Sequence, residues 1–154
     1  MLLAAPTPAA PAGRIVIHGV ESGSRLRLTA SGSNIVVDGY MAPERPVDCR
    51  LTRGRDAAVC PLAGAAAIEV DMGPSGDKVE VLDRLPLPLT AYLGSGSDKF
   101  IGNGEADTCY PQGGNDRLFG GSGADQLYGG PGFDYCDGGP GVGRSHECEA
   151  GPGH

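Results

Sequence analysis

Five aspartates stand nine residues apart: Asp98, Asp107, Asp116, Asp125 and Asp134. Written in blocks of nine, residues 93–137 read LGSGSDKFI, GNGEADTCY, PQGGNDRLF, GGSGADQLY and GGPGFDYCD. Aspartate holds position six throughout. Position eight is Phe100, Cys109, Leu118, Leu127 and Cys136, and glycine dominates positions two to four. A sixth block, GGPGVGRSH, keeps the glycines but has Gly143 in place of aspartate. The spacing predicts a short strand around position eight, its side chain inward, and a six-residue turn before it. Glycines in that turn permit positive φ and close approach of neighbouring turns, so that peptide oxygens converge while aspartate adds charge. That is chemistry for a hard cation. Calcium takes roughly 6–8 oxygen ligands, many of them carbonyls, and all-oxygen ligation without histidine favours it over a transition metal. The candidate metal residues are the five aspartates with the turn glycines Gly94, Gly96, Gly104, Gly114, Gly121, Gly123, Gly130 and Gly132.

The nonapeptide is G-G-x-G-x-D-x-U-x, and residues 93–146 resemble the RTX, or haemolysin-type, calcium-binding repeat family. The last two full blocks fit best; Leu93, Ser95, Asn103, Glu105, Pro111 and Gln112 depart from the glycine pattern. The resemblance implies a right-handed parallel β-roll in which two nonapeptides make one turn and calcium sits between turns eighteen residues apart. The implied pairs are Asp98 with Asp116, Asp107 with Asp125, and Asp116 with Asp134. Asp125 would face Gly143, and a site there is expected to be weak or absent.

The elements that must position these turns come from the rest of the chain. Of 27 glycines, 18 lie in residues 93–154, which also carry 9 acidic against 3 basic residues. Composition therefore changes near residue 92. Before it, short alternating apolar runs between turn residues read as strands: 14–20, 25–30, 34–40, 47–52, 57–62, 67–72, 78–82 and 89–93. The runs 47–52 and 57–62 suggest a hairpin around RGRD. Residues 72–80, MGPSGDKVE, look like a degenerate nonapeptide with Asp77 and Val79 in register. The roll is thus expected to begin before residue 93, with atypical terminal units as its cap. The expected division is a leader or signal remnant at 1–13, a β-rich cap at 14–92, the β-roll at 93–146 and a tail at 147–154.

The net charge of -7 argues against nucleic acid, since no basic stripe is visible along the chain. No stretch is long enough to span a bilayer as a helix. The five cysteines form no C-x-x-C pair, which disfavours zinc. Cys49–Cys60 and Cys136–Cys148 are the natural local pairs, leaving Cys109, and they suggest an oxidising, extracellular location. A bridge from Cys136 is expected to pull its side chain out of the stack. No catalytic residue is assigned: there is no H-E-x-x-H, G-x-S-x-G or P-loop, and of the carboxylate pairs that acid–base work would call for, Asp38/Glu44 and Glu69/Asp71, the second merely follows strand alternation on a solvated face. The chain reads as an all-β, secreted, non-enzymatic calcium-binding protein that folds on its ion. The alternatives are a calcium-stiffened surface adhesion module with a cell-surface or protein partner, and a non-catalytic fragment of a larger hydrolase or toxin.

Overall fold

The computed structural model describes residues 13–18, 23–39, 50–51, 57–82 and 84–151. The first segment and Cys49, Glu44, the RGRD loop and His154 lie wholly or almost wholly outside them. The first eight strands are β1 (Gly13–His18), β2 (Arg25–Ser31), β3 (Asn34–Asp38), β4 (Arg50–Leu51), β5 (Ala57–Pro61), β6 (Ala65–Asp71), β7 (Lys78–Val81) and β8 (Leu89–Tyr92). Six three-residue strands follow: β9 (Lys99–Ile101), β10 (Thr108–Tyr110), β11 (Arg117–Phe119), β12 (Gln126–Tyr128), β13 (Tyr135–Asp137) and β14 (Arg144–His146).

From β5 onward successive strands go to opposite sheets, as do β1 and β2. One sheet runs β1-β6-β8-β10-β12-β14, all parallel; the other runs β13-β11-β9-β7-β2, also parallel, and continues antiparallel through β3, β5 and β4. This is an all-β parallel β-roll. The sheets run without a break across residue 92, because β8 pairs with both β6 and β10. The compositional step there is a change of turn chemistry. β1 and β2 already form a coil, and β3 to β5 extend one sheet beyond it. The expected hairpin is the antiparallel β4–β5 pair.

Period-two alternation explains the core. Inward side chains stack in register from coil to coil: Ile17, Val70, Ala91, Cys109 and Leu127 on one sheet, and Leu26, Val79, Phe100, Leu118 and Cys136 on the other. All are buried. Each large one contributes roughly 1.5–3 kcal/mol by leaving water. In the short strands only the middle residue points inward, so position eight alone carries the core there. Cys109 is a buried free thiol, a small apolar filler in this stack.

The Cys136–Cys148 disulfide forms, but the expectation that it would draw Cys136 from the stack is overturned. Cys136 is 2% exposed. The tail instead folds over the open end of the roll and brings Cys148 to it, partly buried against the core. Cys60 is also disulfide-bonded; its expected partner is outside the described residues.

The outer faces carry ladders of their own. Tyr92, Tyr110, Tyr128 and His146 stack face to face at 5.3, 4.7 and 4.8 Å, which favours this register. On the other sheet Arg25, Lys78, Lys99 and Arg117 align in successive strands. A basic row therefore exists. It is invisible along the chain because its members are 53, 21 and 18 residues apart.

Candidate metal centre

Each repeat aspartate immediately precedes a strand, so the turns form two edges of the roll. The first edge, before the strands of the longer sheet, holds Asp77, Asp98, Asp116 and Asp134. The second, before β10 and β12, holds Asp107 and Asp125. All six are buried, between 0% and 3% exposed.

On the first edge one hydrogen bond repeats. The backbone N–H of Ser24 donates to Asp77 Oδ1 at 2.5 Å, that of Asp77 to Asp98 Oδ1 at 2.7 Å, that of Asp98 to Asp116 Oδ1 at 2.8 Å, and that of Asp116 to Asp134 Oδ1 at 2.8 Å. One carboxylate oxygen is thereby fixed by the coil before it. The second is not: Oδ2 of Asp77, Asp98, Asp116 and Asp134 is buried without a hydrogen-bond partner, as is Oδ2 of Asp125. An unpaired buried carboxylate oxygen is costly. Burial accordingly pushes the pKa values of Asp77, Asp116, Asp125 and Asp134 above the usual carboxylate range, against the lowering effect of the hydrogen bond each accepts. Asp98 is pushed up to about 7, first by burial and then by the charges of Asp116 and Asp77.

The second edge differs. Asp125 Oδ1 accepts from Asp107 N–H at 2.9 Å, and Asp107 Oδ1 accepts from Leu89 N–H at 2.9 Å. But Asp107 Oδ2 is also engaged, by Asn103 N–H at 2.6 Å. This turn departs from the others. Asn103 and Glu105 stand where register asks for glycine and do not adopt positive φ. Asn103 Oδ1 accepts from Glu105 N–H at 2.6 Å, and its Nδ2 donates to Leu87 O at 3.2 Å. The asparagine thus ties down the inserted segment between β7 and β8, and the turn closes on its own aspartate. Burial still pushes Asp107 up to about 7. The edge has no carboxylate at Leu89 or Gly143.

The expected pairs are therefore brought together, 98 with 116, 107 with 125, and 116 with 134, and Asp125 does face the backbone of Gly143, whose C-terminal neighbour Arg144 donates its backbone N–H to Asp125 O at 2.7 Å. The glycines sort less evenly. Gly94, Gly96, Gly114, Gly121, Gly123, Gly130 and Gly132 all have positive φ. At Gly114 an added Cβ would lie 1.4 Å from Gly96 O, and at Gly132 1.5 Å from Gly114 O; only glycine allows turns to approach this closely. Gly104 lacks positive φ, and a Cβ there meets only Ser122 Oγ at 3.4 Å. Its expected backbone role is not seen.

Sequence reasoning missed Asn103 and Glu149. The latter's Oε2 accepts from Asp134 N–H at 2.7 Å, continuing the first edge past the last repeat. Of the paired carboxylates, Glu69 and Asp71 each have a basic neighbour. Glu69 accepts from Arg14, and Asp71 lies 3.6 Å from His18.

The residues suit a hard cation. Among the described residues no three His, Cys, Asp or Glu side chains converge as a ready-made cage. A cation held on the first edge would therefore need most of its oxygens from the peptide groups of the turns, with the unpartnered Oδ2 atoms available to supply charge. Among the described residues no helix is long and apolar enough to cross a membrane.

No curated protein and no solved structure matches the chain. The family model described as RTX calcium-binding nonapeptide repeat (4 copies) matches residues 90–116 and 110–143, the segment in which the aspartates, the positive-φ glycines and the inward position-eight side chains coincide. Residues 90–143 are thus RTX-type nonapeptide repeats, a module that binds Ca²⁺ and that here winds into a parallel β-roll.

Proposed function

We propose that this chain is a secreted protein whose folding is coupled to calcium, and that the ions lie along the first edge, held by Asp98, Asp116 and Asp134 with peptide oxygens of the glycine turns. The observation that carries this is the row of buried, unpartnered Oδ2 atoms. Calcium supplies positive charge where the fold alone leaves stacked carboxylates unneutralised. Without it, repulsion and desolvation favour a loose chain. With it, binding to the native state stabilises the roll by mass action. The second edge contributes less, since Asp107 has both oxygens in hydrogen bonds and Gly143 brings no carboxylate. The coils of β1, β2, β6, β7 and β8 continue the roll ahead of the repeats, and β3 to β5, which extend the longer sheet beyond the first coil, act as its cap. The Cys136–Cys148 bond and the oxidised Cys60 support an oxidising compartment, where calcium is abundant and folding follows export. Dialysis against a chelator, followed by circular dichroism, tests the coupling. Loss of β signal and a lower melting temperature, both restored by calcium, are expected; an unchanged spectrum and melt would overturn it.

One observation favours a second reading, a calcium-stiffened interaction module. The aligned Arg25, Lys78, Lys99 and Arg117 form a basic row on an acidic protein; Lys78 is paired with Glu80 at 2.8 Å, which leaves Arg25, Lys99 and Arg117 to meet a linear polyanion. Salt-sensitive retention on immobilised heparin in calcium, abolished by charge reversal at Lys99 and Arg117, would support it. Free passage through the column would reject it.

A further inference from the structure

The repeat ends at residue 146, yet the hydrogen-bond row of the first edge does not. After β14 the chain reverses at Glu147, a non-glycine residue at φ 54°, and returns to the longer sheet early. Ala150 bridges Tyr135, Cys136 N–H donates to Ala150 O at 2.9 Å, and the N–H groups of Glu149 and Ala150 both donate to Asp134 O at 3.0 Å. Each preceding repeat rung is 18 residues beyond the last, whereas Glu149 is only 15 beyond Asp134. The longer glutamate side chain occupies the shortened return and accepts the Asp134 N–H at 2.7 Å, as Asp134 accepts that of Asp116 at 2.8 Å. Beside it Asp134 Oδ2, in a residue that is 0% exposed, has no partner. The disulfide clamps this arrangement from both sides: Cys136 lies two residues after Asp134, and Cys148 immediately precedes Glu149, with Cα atoms 5.9 Å apart.

We infer that Glu149 is a metal ligand outside the repeat, forming with Asp134 a terminal calcium site that exists only while the Cys136–Cys148 bond is closed. The inference rests on calcium binding along the first edge and goes beyond it: the last site is set by thiol redox state. Opening it requires a dithiol reductant. Two electrons and two protons pass to the sulfurs, the S–S bond breaks to two thiols, and the reductant closes to a cyclic disulfide. The tail is then held only by its hydrogen bonds and the packing of Cys148 against the core, and the Glu149 carboxylate is free to leave Asp134.

The test is calorimetric titration of the full chain with calcium chloride, in the oxidised form, after dithiothreitol, and as Glu149→Gln in both states. Glutamine keeps an oxygen to accept the Asp134 N–H, and circular dichroism in calcium verifies the fold. The oxidised wild type should bind one more ion than Glu149→Gln, or bind its last ion at least tenfold more tightly. Reduction should reduce the wild type to the variant's level and leave the variant unchanged. Equal binding by wild type and Glu149→Gln overturns the inference alone, as does an equal loss on reduction in both proteins. A wild type that takes up no calcium overturns the function on which the inference rests and the inference with it.

Discussion

Replacing Asp116 with asparagine should change stability in opposite directions with and without calcium. Asp116 is the middle of three repeat carboxylates on the first edge; its Oδ1 accepts the Asp98 N–H at 2.8 Å and its Oδ2 is unpartnered. Asparagine keeps the accepting oxygen and removes the charge, and an unpaired amide is cheaper to bury than an unpaired carboxylate. Adjacent strands of a sheet are about 4.8 Å apart. At that separation each neighbouring carboxylate repels the central one by about 1 kcal/mol in water and by up to about 3.5 kcal/mol at an effective dielectric near 20. Chelated Asp116→Asn should therefore be more stable than the chelated wild type, by about 2 kcal/mol at the cautious end of that range. In calcium the same residue borders two intervals of the row. An ion at 100 times its dissociation constant contributes about 2.7 kcal/mol, so losing both costs about 5 kcal/mol and leaves the variant about 3 kcal/mol less stable than wild type. Urea unfolding followed by circular dichroism, with chelator and with millimolar calcium, reads both numbers. A change of the same sign in the two conditions would refute the reasoning.

Other perturbations read different links. In the native chain without calcium, Asp98 and Asp107 lose their protons near 7 instead of near the ordinary 3.8. The folded state thus binds more protons than the unfolded state between those values, and stability falls as pH rises. Melting temperature in chelator should drop from pH 4 to pH 8, and calcium should remove most of that drop; a rise with pH would contradict the burial argument. Gly114→Ala should prevent the native coil from forming, because its Cβ would meet Gly96 O, whereas Gly104→Ala should change the melting temperature little; similar effects at both sites would show that the turn geometry is misassigned. Gln112 stands at φ 75° in a glycine position. Gln112→Gly should relieve part of the roughly 1–2 kcal/mol that a left-handed side chain costs and raise the urea midpoint, and a lowered midpoint would count against that strain.

Much of this was legible because the nonapeptide period fixes which side chain points inward and which turn residue is charged. Phe100, Leu118 and Asp116 could be placed from spacing alone. The eight earlier strands were legible too, from alternation. What spacing could not supply was pairing at irregular separation. Asp77 joins the row 21 residues before Asp98 because the segment around Leu85 and Leu87 is inserted, and that same insertion explains Asn103, which replaces a glycine in order to hold Leu87. Glu149 was hidden because it lies outside the period and replaces aspartate with a longer side chain on a shorter return. The basic row was hidden for the same reason: alignment across coils is a property of register, and the net charge conceals it. Cys136 shows the reverse case, where the pairing was read correctly but its consequence was not, because the tail moves to the stack.

The most direct test is a high-resolution crystal structure of the chain grown in excess calcium, with anomalous data to mark the ions. Density for calcium within bonding distance of Oδ2 of Asp98, Asp116 and Asp134, together with turn carbonyls, is the predicted result. Those oxygens facing only water, with the ions elsewhere or not bound, would contradict it.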